Sequence, residues 1–128
     1  MVNAVGKTYS SVVIDEVTSV YDADTFRVNI KTWPDIIGRG ISIRVLGIDA
    51  PEIRGKCSAE KQAAQRARLF TVSVLHNARR IELRNIQRGK YFRILADVWV
   101  DGKRLAQGLI KAGHARVYKG GKRLGWCG

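Results

Sequence analysis

Four carboxylates sit in two short polar segments of a chain otherwise rich in cations. Asp22 and Asp24 belong to Tyr21-Asp22-Ala23-Asp24, and Asp49 and Glu52 flank Ala50-Pro51. Oxygen donors on turns suit a hard divalent cation such as calcium or magnesium. Each pair also has a plainer reading. Aspartate is a common turn residue, and Asp49–Glu52 alone could be a surface loop leading into a helix. Two arginines shift the balance. Arg44 lies five residues before Asp49, and Arg93 follows Lys90-Tyr91-Phe92. A guanidinium presents a planar donor fork that fits phosphoryl oxygens, and its charge stabilises a pentacoordinate phosphorane. Taken singly, Arg93 is one more charge between Arg88 and Arg104; only in combination with the carboxylates does it suggest phosphodiester chemistry.

The elements that must position these residues follow from hydrophobic period. A β-branched run over residues 12–20 predicts a first strand, with a turn at 21–24. A second strand over 25–30 puts Phe26, Val28 and Ile30 on one face. After a loop at 33–40, a third strand over 41–48 sets Ile41, Ile43 and Val45 against Ser42 and Arg44; Pro51 stops it. A helix is expected over 59–75, capped by Ser58, with Glu60 in its first turn and Ala59, Ala63, Ala67, Phe70 and Val74 as its inner face. Strands over 81–84 and 94–100 follow, the latter ended by the tight-turn pair Asp101-Gly102. A short helix from Leu105 to Ala112 precedes Gly113, and residues 115–118 are extended. Three strands, a helix, two strands and a helix do not alternate as βαβ units would. The order fits a small barrel with packed helices or an open α+β sandwich.

The 128 residues carry 23 Lys+Arg against 11 Asp+Glu, a formal net charge of +12, and 45% are hydrophobic. That length predicts one domain, and that hydrophobic content excludes a disordered basic tail. A folded domain with this charge repels itself, which points to a polyanionic partner, nucleic acid first. No window approaches 18 apolar residues, so no membrane-spanning helix is expected. Beyond Asp101 the chain has no acid but carries Lys103, Arg104, Lys111, Arg116, Lys119, Lys122 and Arg123. Such a run supplies phosphate contacts without base readout.

The motifs together resemble the staphylococcal nuclease (thermonuclease) family. Asp22-Ala23-Asp24-Thr25 resembles its Asp-Gly-Asp-Thr stretch with alanine for glycine. Ile43-Arg44-Val45-Leu46-Gly47-Ile48-Asp49-Ala50-Pro51-Glu52 resembles its most diagnostic motif with every functional position filled. Lys90-Tyr91-Phe92-Arg93 resembles Lys-Tyr-Gly-Arg with phenylalanine for glycine. The similarity spans about residues 12–118 of what is expected to be a single domain over 1–128. It implies a mainly β (α+β) fold, an OB-fold-like five-stranded barrel with two or more packed helices. It also implies Ca2+-dependent, largely sequence-nonspecific hydrolysis of DNA and RNA phosphodiesters, leaving 3′-phosphate ends. Carried over by motif, Asp24, Asp49 and the Ala50 carbonyl resemble metal ligands and Asp22 a supporting acid. Glu52 resembles the residue that handles the water. Arg44 and Arg93 resemble the phosphate clamps, and Lys90 and Tyr91 contacts to a terminal phosphate. The substitutions bear on geometry: Ala23 lacks glycine's access to positive φ, and Phe92 puts a ring before Arg93.

Further expectations complete the reading. A base splayed from single-stranded or frayed substrate could stack beside Tyr91 or Tyr118. The chain is expected to act as a monomer. Cys57 and Cys127, 70 residues apart, are either a staple anchoring the C-terminal end beside the first helix or two unrelated thiols. Trp126 is expected to bury there as a lid on a small core. A zinc site from Cys57, His76, His114 and Cys127 fits no compact ligand spacing. Residues 1–7 lack the long apolar run of a signal peptide. A calcium-dependent nuclease with one disulfide nevertheless suits a secreted or periplasmic setting with its leader absent from this chain, and a cytoplasmic one less well. The rival functions are a non-catalytic nucleic-acid-binding module on the same barrel, and a scaffold that binds peptides.

Overall fold

In the computed structural model, residues 8–127 are described. The chain forms β1 (Val12–Val13), β2 (Glu16–Asp22), β3 (Thr25–Asn29), the single turn α1 (Asp35–Gly38), β4 (Ile41–Val45), β5 (Ile48–Asp49) and α2 (Ser58–His76). It continues through β6 (Ile81–Arg88), β7 (Arg93–Val100), β8 (Lys103–Arg104), α3 (Leu105–Lys111) and β9 (Arg116–Val117). The main sheet runs β1-β6-β7-β4-β3-β2, with β8 on β7 and a separate β5-β9 pair. All neighbours are antiparallel except β4 and β7.

The run expected as one strand over 12–20 is bent into β1 and β2. Ile14 N–H donates to Ile81 O and Asp15 N–H to Asn29 O at the bend. One half therefore pairs with β6 and the other with β3. The two ends of the sheet are joined through a single length of chain, which curls it in the OB-fold-like manner expected. The five anticipated strands are all present, and β6 and β7 outrun their expected bounds. Residues 46–47 interrupt the third strand, because Gly47 takes φ +82°. The core is mainly aliphatic around one phenylalanine, with Phe26, Ile30, Ile43, Leu83, Ile86 and Leu109 fully enclosed. The expected alternation on β4 holds, with Ile41, Ile43 and Val45 buried and Ser42 and Arg44 half-buried.

Helix α2 departs from expectation in two ways. Its N-cap is Cys57, not Ser58; the sulfur accepts from the Glu60 N–H at 3.4 Å. Its buried stripe is Glu60, Ala64, Ala67, Thr71 and Leu75, whereas Ala59 is exposed. Ala67 belongs to both readings, and Phe70 and Val74 pack half-buried against the core, but reading only apolar residues missed two polar residues buried with partners. Thr71 Oγ1 donates to Ala23 O at 2.8 Å. The Glu60 carboxylate accepts the N–H groups of Glu52 (3.2 Å) and Lys56 (3.1 Å). These three bonds carry the helix's rigidity into the loops that bear the acidic residues. The segment at 33–40, read as loop, contains the turn α1. Among the described residues, no helix is long and apolar enough to cross a membrane.

Candidate active site

The first acidic turn is built between β2 and β3. Thr25 pairs with Arg44 across the β3–β4 ladder, and Val45 N–H donates to Asp24 O at 2.9 Å. Asp24 is thereby fixed beside Arg44, with Nη2 to Oδ2 at 3.6 Å. Ala23 is fully buried, and it is not among the residues with positive φ. The turn thus needs no glycine, and the alanine leaves its geometry intact. Asp24 is 3% exposed, and its Oδ2 is the buried side-chain oxygen without a hydrogen bond among the described residues. Burial pushes its carboxyl above the ordinary range, against the pull of Arg44 and the Thr25 hydroxyl. Burial also raises Asp22, partly offset by the Ile53 N–H and reinforced by the charges of Asp24 and Glu52. Such crowding of desolvated carboxylates is what a site for a cation looks like electrostatically.

The second turn starts at β5, which pairs with β9 so that Asp49 faces Arg116. The loop carrying Glu52 is pinned from two sides, by the Ile53 N–H on Asp22 Oδ1 at 2.9 Å and by the Glu60 carboxylate. Gly55 is required here: a Cβ would lie 2.5 Å from the Glu60 side chain. Without that close approach, Glu60 could not reach the loop amides.

The arginines follow from parallel register. Ser42 aligns with Arg93 and Arg44 with Leu95, so Arg44 and Arg93 share the polar face of adjacent strands. With Tyr118, Lys119 and Arg123 they line a basic pocket of about 460 Å3. Arg93 is launched from a tight turn closed by its own N–H on Lys90 O at 3.1 Å. The central residues Tyr91 and Phe92 both take φ +58°, a left-handed pair that glycine adopts more easily. Phe92 therefore preserves the backbone expected of the family's glycine while projecting its ring. Tyr91 is 94% exposed and Phe92 80%. Lys90 and Tyr91 stand out in solvent on this turn, whereas Tyr118 lines the pocket and donates from its hydroxyl to Gly121 O at 2.8 Å.

The C-terminal tail completes the site in a way the sequence did not disclose. Cys57 and Cys127 are joined as a disulfide, with Cα atoms 5.9 Å apart. The link brings residues 123–127 against the acidic turn. Arg123 bonds Asp49 Oδ1 through Nη2 and Glu52 Oε1 through Nη1, the latter at 3.3 Å. Partial burial works against the Arg123 charge, but Asp49, Glu52 and Asp24 outweigh it and hold the guanidinium above its usual pKa. Trp126 is half-buried rather than a core lid. Its ring lies under Arg116, 3.8 Å from the guanidinium carbon, and its indole N–H reaches Asp49 Oδ2 at 3.3 Å. Arg116 also donates to Gly125 O at 2.6 Å. Arg123, expected as a surface phosphate contact, is instead a counter-ion in the acidic pocket. Neither it nor Glu60 carries a local sequence signal for these contacts.

The donor set is one of hard oxygens, and Asp24 Oδ2, which has no hydrogen bond but an arginine at 3.6 Å, is chemically suited to a calcium-like cation. As they stand, no three acidic, histidine or cysteine side chains among the described residues form a metal-holding group. Arg123 occupies part of the charge such an ion would neutralise.

A sequence model of the family described as staphylococcal nuclease homologue matches residues 42–124. The chain belongs to this family. The match includes Arg44, Asp49, Glu52, Arg93 and Arg123, and begins after the Asp22–Asp24 turn. Among curated relatives, "Probable endonuclease lcl3" of Pyrenophora tritici-repentis is 29% identical over 126 residues, covering 81% of this chain and 46% of the relative. "Probable endonuclease LCL3" of Phaeosphaeria nodorum is 33% identical over 83 residues, covering 62% of this chain and 28% of the relative. The chain thus spans less than half the length of these relatives.

Proposed function

We propose that this chain is a calcium-dependent nuclease that hydrolyses DNA and RNA phosphodiesters with little sequence preference, leaving 3′-phosphate ends. The observation that carries the reading is that Asp22, Asp24, Asp49 and Glu52 lie within electrostatic reach of Arg44 or Arg123, two arginines that share a basic pocket with Arg93. A domain that only binds strands gains nothing from desolvated carboxylates that repel phosphate. Family membership and relatives named as endonucleases support the same conclusion.

Asp24, Asp49 and the Ala50 carbonyl would hold the ion, with Asp22 supporting. When bound, calcium supplies Lewis-acid polarisation of the scissile phosphate. Arg44 and Arg93 bind the phosphoryl oxygens from one sheet face and stabilise the charge that grows on them. Arg93 does so nearer the leaving oxygen. Glu52, on the exposed rim, orients the water and accepts its proton on a carboxylate oxygen. Tyr118, Lys90 and Tyr91 contact the flanking nucleotides, and the remaining basic surface holds the backbone electrostatically. We further infer a preference for single-stranded or frayed substrate, a monomer, and a secreted or periplasmic setting.

The test is turnover at saturating DNA and calcium, with affinity measured separately. Glu52→Gln should retain DNA binding while turnover falls about 10²–10⁴-fold, the usual reach of acid–base help. Arg93→Lys keeps the charge but loses the fork, so turnover should fall far more than affinity. Near-full turnover in both variants, or plasmid left intact under every divalent ion, would put the binding-only module ahead.

A further inference from the structure

A second cavity adjoins the basic pocket on the far side of Arg93. It is a groove of about 620 Å3 between the 33–37 segment and the Lys90–Arg93 turn, walled by Trp33, Pro34, Ile37, Ile41, Ile86 and Ile94. Arg88, Phe92 and Arg93 form its rim. Two features call for a ligand. The walls are aromatic and aliphatic, yet the rim is cationic. The ring of Phe92 is held out at the mouth by a left-handed backbone that costs about as much as a strained functional residue typically does. We propose that this groove is a nucleobase subsite for a single strand whose neighbouring phosphate is gripped by Arg44 and Arg93.

The chemistry of the occupant follows from Arg93 bordering both cavities. A ligand bridging them needs an anion at the arginines and, joined to it, a flat ring able to stack on Trp33 or Phe92. A nucleotide in an unpaired strand has this form, and stacking tolerates any base. In duplex the base is already stacked and paired, so it must be extruded at a cost before it can enter. The groove thus gives a structural basis for preferring single-stranded or frayed substrate. A second copy of the chain, also carrying +12, lacks the anion. The inference rests on the reading of Arg44 and Arg93 as a phosphate site, but not on turnover.

The experiment measures equilibrium binding in chelator, where no hydrolysis is expected, at one fixed salt concentration. The probes are a labelled oligothymidine strand, the same strand with abasic sugars, and its duplex. Two variants are compared with the native chain. Phe92→Gly removes the ring and relaxes the backbone, so folding is preserved, and Ile37→Ser alters the half-open opposite wall. The native chain should bind the base-bearing strand about tenfold more tightly than the abasic one. Phe92→Gly should largely erase that ratio while leaving abasic binding unchanged, and Ile37→Ser should reduce it. Equal binding of base-bearing and abasic strands by the native chain would overturn the subsite. So would an unchanged ratio in both variants, or a native dimer that Phe92→Gly dissociates. Cleavage with calcium is scored separately: equal binding of base-bearing and abasic strands by a native chain that still cleaves refutes the groove alone. Retained discrimination without cleavage refutes only the nuclease reading.

Discussion

Asp24 lies in the turn before β3 and Asp49 ends β5, and the two are buried almost equally, at 3% and 5% exposure, yet the chain balances their charges differently. Asp24 is held by the sheet itself, with Arg44 at 3.6 Å and one oxygen left without a hydrogen bond. Asp49 has both oxygens engaged, by Arg123 and by the Trp126 indole, and both partners arrive on a tail fastened by a disulfide. One carboxylate bears its desolvation and stays available. The other is hydrogen-bonded at both oxygens, one of them by the tail cation Arg123, whereas the cation beside Asp24 stands off at 3.6 Å. The contrast implies that the two halves of the proposed calcium site are limited by different things, burial for Asp24 and competition for Asp49.

The largest effect that could break this contrast is loss of the ion itself. Asp24→Asn and Asp49→Asn should each weaken calcium binding more than about 100-fold, read as loss of the calcium-dependent rise in melting temperature, because a hard cation needs its charged ligands. In chelator the two should diverge. Asp24→Asn removes a charge that burial penalises, which offsets the loss of Arg44's partner at 3.6 Å, and should melt close to the native chain, whereas Asp49→Asn breaks a direct hydrogen bond to Arg123 and should melt earlier. Equal losses would erase the distinction.

Next in size is the tether. Replacing Cys57 and Cys127 with serine should cost about 2–5 kcal/mol, measured by denaturant unfolding with and without reductant. It should also free Arg123 from Asp49, so calcium should bind the double variant at lower concentration. A third, smaller effect isolates the competition: Arg123→Gln should lower the calcium needed for half-maximal stabilisation about fivefold, as expected for about 1 kcal/mol from a partly exposed, solvent-screened ion pair. An unchanged or higher requirement would show that Arg123 assists the ion instead.

Much of Asp24's side of this comparison was legible in the sequence, and much of Asp49's was not. Alternation along Ile41–Val45 placed Arg44 opposite the core, and motif spacing put Asp24, Asp49, Glu52 and Arg93 at element ends, where the structure has them. Such patterns are local, set by a period of two residues and by turn chemistry. Arg123 reaches Asp49 across 74 positions, and nothing in the Gly-rich stretch around it has a period to read. Glu60 was misjudged for a related reason. A glutamate in a first turn is ordinarily solvated, and only the close approach of Gly55 reveals that this one organises the loop below it. The two cysteines allow a single intramolecular pairing, and the staple offered for them on sequence is present, with Cα atoms 5.9 Å apart.

The Cys57–Cys127 bond also makes residues 57–127 a covalent ring, which carries the exposed segment Gly120–Leu124 within it. A protease that nicks that segment cuts the polypeptide without dividing the molecule. The short C-terminal piece stays bonded to the cap of α2, and its Trp126 still faces Asp49. The nicked and intact forms would run as one species until a thiol is added, at which point the two pieces would separate.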